Sequence, residues 1–369
     1  DFVDCSDFLI RKAESAGKSF FICACDGLID SLQLSQMVVS PILHSKSIDI
    51  ETIKKSVTNS VELNEAQTYA DCYYYVMSGF AVAVVDGETK ALAFGIQSLP
   101  SRSVDEPTNE QSTKAPKEAF VEVLNTNKAL LRKRLKTPHL KLKQIKLAAS
   151  APLPCVIAYI DNRADKELVS SISEKLQSSN LNTLTDFGTL VPFIDTNINS
   201  MFSDVFSTER PDIVVSKLLE GRVAILVEGS PVALYVPSLF SDNFQTPDDY
   251  DTPPFYSAFI RILRYFSFVL SIFLPGVYVA IGTFHQELIP TSMLFTIAKE
   301  EITTPYSLMT EALMLLVLYE IMREAGLRLP KAVGHAVSII GGIVIGETTV
   351  SAGLIGAPML VVIALTAIS

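Results

Sequence analysis

The chain has 369 residues, 49% of them hydrophobic, a formal net charge of −10, five cysteines, four histidines and no Trp. An acidic chain lacks the basic face that neutralises phosphates, which argues against nucleic acid as a partner. The hydrophobic average hides a division: charges are spread through residues 1–250, whereas long apolar stretches begin near Phe255. The expected fold is therefore a soluble α/β half, with room for one large or two small domains, followed by an all-α membrane domain.

In chain order, the first strong signal is FFICACDG, where Cys23 and Cys25 alternate within an apolar run and so share one face of a strand. A CxC without a second Cys/His pair makes a poor zinc site, and an odd cysteine count gives no disulfide framework. Cys5, Cys23, Cys25, Cys72 and Cys155 are expected as buried free thiols.

An internal repeat follows. FICACDGLIDSLQL (21–34) resembles VIAYIDNRADKELV (156–169), so Asp26 and Asp30 correspond to Asp161 and Asp165 at an offset of 135. The second Asp of each pair suits a helix N-cap, where its carboxylate accepts orphan backbone N–H groups. SGFAVAVVDGETKALAF (78–94) likewise pairs with EGRVAILVEGSPVALYV (220–236), at an offset of 142. Asp86-Gly87 and Glu228-Gly229 sit where a tight hairpin needs positive φ. Two matches in the same order predict two related α/β subdomains, 1–98 and 150–245. Residues 99–149 read as a mobile loop rich in Ser, Pro, Thr and Glu, then a helix over 119–135 closed by Thr137-Pro138. The basic run from Lys128 to Lys146, with Arg132, Lys133, Arg134, Lys136, Lys141 and Lys143, reads as a solvated helix face followed by a loop.

The rest of the chain, 246–369, is read as the membrane domain, with spans near 265–284, 305–322, 333–350 and 353–369. Residues 288–298 are apolar but too short to span, and suit a re-entrant segment. Pro275-Gly276 is expected to kink the first span. Arg261 and Arg264 before it, and Arg323, Arg328 and Lys331 after the second, place the soluble half in the cytoplasm if basic loops stay inside. Asp1 in place of Met, and Ser369 within an apolar run, make both ends read as cuts.

Intramembrane polar residues are the candidate site. Glu311 and Glu320, nine positions apart, fall on opposite faces of a straight helix. Glu320 has Arg323 within a turn, and reads as a salt-bridged acid. Glu311 has no local basic partner, so structural pairing and a pore-lining role both stand. Glu347, and His285 with Glu287 at the exit of the first span, complete the polar candidates. Gly334, Ser338, Gly342 and Gly346 recur every four residues, and such a small-residue face lets helices approach closely in lipid. GxSxG, a P-loop, GxGxxG and metal-ligand spacing are all absent from the sequence, so no enzyme and no cofactor are expected.

Several segments resemble the A subunit of GerA-type spore germination receptors, with the stage V sporulation AF proteins as close paralogues. They are NTNKALLRKRLKTP (125–138), STERPD (207–212), KLLEGRVAILVEGSP (217–231), FHQELIP (284–290), YEIMREAGLRLP (319–330) and AVSIIGGIVIGE (336–347). The resemblance covers nearly the whole chain, and the intact FHQELIP favours the nutrient-receptor branch. It implies a multi-pass subunit of the inner spore membrane, working with a transporter-like B subunit and a lipoprotein C subunit. It further implies homo-oligomers that form a nutrient-gated cation channel, with membrane lipid as a further partner. The chain departs from the family where Leu316 and Glu347 replace a common Glu and a common Gln. A non-conducting scaffold remains the alternative function, and a membrane transporter a third. The soluble position of the repeat disfavours the transporter, because such proteins usually repeat their membrane helices.

Overall fold

Apolar and β-branched residues build the first sheet. Phe8–Ser15 (β1) and Lys18–Cys25 (β2) pair antiparallel over their full length, and Glu62–Ala66 (β3), Phe80–Val85 (β4) and Ala91–Gly95 (β5) complete an order β1-β2-β4-β5-β3. A helical run over 31–43, then Ile50–Val57 (α1) and Tyr69–Met77 (α2), connect these strands. The second sheet comprises Leu140–Leu147 (β6), Leu153–Ile160 (β7), Phe206–Thr208 (β8), Val223–Val227 (β9) and Ala233–Val236 (β10), in the order β6-β7-β9-β10-β8. The order repeats strand for strand, as expected of two related subdomains, although β6 lies before residue 150, where the second was expected to begin. This computed structural model describes residues 4–15, 17–45, 49–57, 62–98, 110, 116–147, 152–179, 187–195, 200, 202–328, 342 and 346–368.

Local chemistry follows the repeat. Asp30 accepts the backbone N–H groups of Leu32 and Gln33 at 2.8 and 3.1 Å, and Asp165 accepts that of Glu167 at 2.9 Å. Each caps the helix that leaves its sheet: the 31–43 run in one case, Lys166–Ser178 (α4) in the other. Gly87 and Gly229 turn their hairpins at φ of +83° and +80°, where a side chain would be strained.

Helix Leu124–Arg134 (α3) corrects two expectations. It starts five residues later than its apolar spacing suggested, because Phe120 lies outside the helix and donates its N–H to the carbonyl of Glu209 at 2.7 Å. Its basic run is a solvated face only in part: Lys136 and Lys146 are exposed, but Lys128, Arg132 and Lys141 are buried, and the supposed loop after it is strand β6. The reason is that α3 lies between the two sheets. Leu130 and Leu131 pack on the second sheet beside Val214 and Leu218 of Pro211–Leu219 (α5), while Ala129 reaches the core of the first. Arg132 donates from Nε and Nη2 to Asp7 at 2.9 and 3.0 Å and from Nη1 to the carbonyls of Thr137 and Leu140. Cys25 donates its thiol to Asp7 at 3.2 Å, and burial pushes that thiol up so that it keeps its proton. Most of the expected mobile loop lies outside the described residues.

The chain divides into two compact units, Asp1–Asp251 and Thr252–Ser369. The second is helical. Pro254–Phe284 (α6) starts on a proline, whose missing N–H costs nothing in a first turn, and runs unbroken through Pro275. It is 31 residues long and only 11% buried in its most apolar window, whereas a core helix of a soluble protein would be covered. It extends the expected first span back past Arg264 and Arg261. Thr291–Thr303 (α7) and Leu308–Arg328 (α8) follow, bent by 76° at their junction. Together they pass the same test of length and apolarity as one bent pair. Ala357–Ile368 (α9) is apolar and 12 residues long. Most of the expected span 333–350 lies outside the described residues.

Candidate functional site

The interior of the helical unit is set by spacing on α8. Leu308, Glu311, Ala312 and Leu315 recur at i, i+3, i+4 and i+7, so all four fall on one stripe. That stripe packs against Ile355, Met359 and Ile363, with Tyr278 and Val279 of α6 beside them. Glu311 is carried inside by the same periodicity that buries its apolar neighbours, and is 1% exposed.

Its carboxylate is half satisfied. Oε2 accepts the backbone N–H of Gly356 at 3.1 Å, just before the first turn of α9. A helix N-terminus presents orphan N–H groups and a positive dipole end, both suited to a carboxylate. Among the described residues Oε1 has no hydrogen-bond partner. Glu311, Tyr278, Ile297, Glu300, Glu301 and Gly356 line a cavity of about 10 Å³, close to the smallest that holds one water. A buried acid with one uncommitted oxygen can accept a hydrogen bond from water or contact a cation.

The remaining candidates lie apart from it. Glu320 is exposed and pairs with Arg323 at 2.5 Å. His285 ends α6 and Glu287 follows in a 3-10 turn, both exposed. Glu347 is exposed too. No three His, Cys, Asp or Glu side chains converge on a metal-like site among the described residues. On the small-residue face, Gly346 lies against Leu360, whose Cδ2 would stand 3.3 Å from an added Cβ, and Gly342 has nothing within 4 Å. Gly334 and Ser338 lie outside the described residues.

Sequence reasoning missed two glycines. A Cβ at Gly282 would stand 2.7 Å from Leu308 Cδ1, so α6 and α8 cross closely there, and Gly356 supplies the N–H to Glu311. Both sit singly rather than in a periodic stripe, which is why spacing gave no signal.

The chain matches the model of the Bacillus/Clostridium GerA spore germination protein family over residues 1–369. It belongs to that family. Spore germination protein B1 of Bacillus subtilis is 38% identical over 93% of this chain and 72% of its own length. Spore germination protein KA of the same organism is 33% identical over 99% of this chain and 68% of its own length. Among solved structures, the N-terminal domain of the A subunit of the Bacillus megaterium spore germinant receptor GerK3 aligns with a TM-score of 0.50. It is 25% identical, and the alignment covers 64% of this chain and 90% of that one. The fold of the two-sheet part is therefore similar to that of the GerK3 N-terminal domain.

Proposed function

We propose that this GerA-family chain is the membrane-embedded A-type subunit of a nutrient-responsive germinant receptor, and that copies of it assemble around a nutrient-gated cation path. In this reading it crosses the inner spore membrane several times, with its soluble half facing the cytoplasm. It acts beside a transporter-like B subunit and a lipoprotein C subunit and performs no catalysis of its own. The observation that carries the cation path is Glu311. A carboxylate held inside apolar helices is costly and is usually retained for a polar partner or an ion. The lipid-facing character of α6 supports the membrane setting, since Phe259, Ile262, Phe266 and Phe273 are all exposed.

A scaffold reading has its own support: the Gly356 contact could be the sole purpose of Glu311, locking α8 to the start of α9. Glu311→Gln separates the two. The amide oxygen still accepts from Gly356, so helix packing and protein level stay near the parent, but the charge is gone. The channel reading expects nutrient-triggered cation release from spores to slow by about tenfold or more, a loss of roughly 1.4 kcal/mol at the rate-limiting step. Unchanged release at equal protein level would leave the scaffold standing and remove Glu311 from the path.

A further inference from the structure

The second subdomain holds a cavity of about 560 Å³, a size that suits a small molecule. Residues of β8, β10 and α5 line it, together with the 3-10 turn Pro247–Tyr250. Tyr235 of β10 is among them, and is 2% exposed. Its ring is flanked by the Arg222 guanidinium at 5.7 Å and by the Phe206 ring at 5.3 Å between centroids. What the ring leaves to the cavity is its hydroxyl edge, and that hydroxyl has no hydrogen-bond partner among the described residues. Buried tyrosine hydroxyls are ordinarily paired, so this one points to a ligand. Burial, and then the Asp242 carboxylate nearby, push its pKa up, so it stays a neutral phenol with lone pairs to offer.

Charge selects the class of ligand. Among the described residues, the carboxylates of Glu110, Asp212, Asp242, Asp248 and Asp251 line the cavity against a single amine, Lys217. The cations near it are already committed. Lys217 donates to Asp242 at 3.1 Å, Arg222 pairs with Asp242 and Glu220, and Arg210 pairs with Asp212 at 2.9 Å. An anion would have to displace one of these carboxylates, whereas a cleft lined by one sign of charge concentrates the opposite sign. A bare metal ion fits poorly, because no three acidic side chains converge on a metal-like site among the described residues. Phe206, Ile213 and Pro247 add apolar wall. The ligand that matches is cationic at one end and apolar along its body.

We propose that this cavity binds a small organic primary ammonium ion, whose N–H groups donate to the Tyr235 hydroxyl and the acidic rim while its apolar body lies against Phe206 and Ile213. The preference for a primary over a quaternary ammonium follows from the ring. A quaternary ammonium is recognised by open aromatic faces. Here Arg222 and Phe206 flank the ring, so the hydroxyl is what it offers, and a hydroxyl oxygen accepts only from an N–H. A ligand held there joins β10 and α5 to Pro247–Tyr250, the last turn before α6 in the chain. The site lies in the soluble unit and does not depend on the cation path at Glu311.

The test is isothermal titration of phenethylammonium into the full chain purified in detergent. The parent is expected to bind it saturably, with a Kd at or below about 1 mM. Phenethyltrimethylammonium, which has no N–H, should bind about tenfold more weakly or worse. Tyr235→Phe removes only the unpartnered hydroxyl. It should weaken phenethylammonium by about tenfold while melting within about 3 °C of the parent. Asp251 lines the cavity and is exposed, so Asp251→Lys reverses a charge there without disturbing the core. It should weaken binding by a similar factor, and it decides the matter if the buried change upsets folding. No saturable binding, equal affinity for the two ammonium ions, or tighter binding of the anion phenylpropionate would overturn the proposal. So would unchanged affinity in either variant once folded.

Discussion

Asp7 and Arg132 are 125 residues apart in the chain, and each is 1% exposed in its side chain. Removing one member of such a pair leaves a buried charge without its counter-ion, which costs more than the pair itself contributes. Asp7→Asn should therefore lower the unfolding free energy by about 3–5 kcal/mol in denaturant titration. Asp7→Leu combined with Arg132→Met should lose less than either single change. Equal losses for the single and double variants would mean that the pair is not the clamp between the sheets. A second buried acid gives a pH prediction. Burial raises the pKa of Asp242, but hydrogen bonds from Arg222, the Leu239 N–H and Lys217 outweigh it and hold the carboxyl below the usual range. A depressed carboxylate contributes stability above its unfolded pKa of about 3.9 and loses it as the pH falls through the folded value. The parent should thus lose stability more steeply below about pH 4 than Asp242→Asn, measured by unfolding at each pH. At this scale the capping role of Asp30 and Asp165 was legible, because a cap is a local event. Asp7, Arg132 and Asp242 were not, because their partners come from distant parts of the chain.

Among elements, the strands and hairpins were the most legible, since alternation and an acid-Gly turn are written within a few residues. The repeat extended this to whole subdomains. Helix α3 was misplaced at its start and misjudged in its surroundings, because a basic run buried between two sheets looks the same in sequence as a solvated one. In the helical unit the small-residue stripe points to 334–346, yet among the described glycines of that unit it is Gly282 whose added Cβ would stand nearest another atom, Leu308 Cδ1 at 2.7 Å. Gly282→Leu should force α6 and α8 apart and cost about 1–3 kcal/mol. Gly276→Leu, where an added Cβ meets nothing within 4 Å, should be tolerated. Thermal melting of both variants in detergent checks the pair, and equal melting temperatures would mean that the crossing at Gly282 yields without strain.

For the whole molecule, the division between a charged α/β part and an apolar helical part was plain from composition, and the family from its segments. The carboxylate at the centre of the helical unit was identified in sequence only as one of several candidates. Burial singled it out: Glu311 is inside, whereas Glu320, Glu347, His285 and Glu287 are exposed. Sequence spacing placed Glu311 and Glu320 on opposite faces, but which face turns inward depends on helices contributed by later residues. The central claim is that copies of this chain, with their partner subunits, pass cations when nutrient binds. The direct measurement is potassium flux from liposomes holding the purified receptor, with and without nutrient. The account predicts nutrient-dependent flux that falls by about tenfold or more with Glu311→Gln. Nutrient binding with no flux above that of empty liposomes would contradict it.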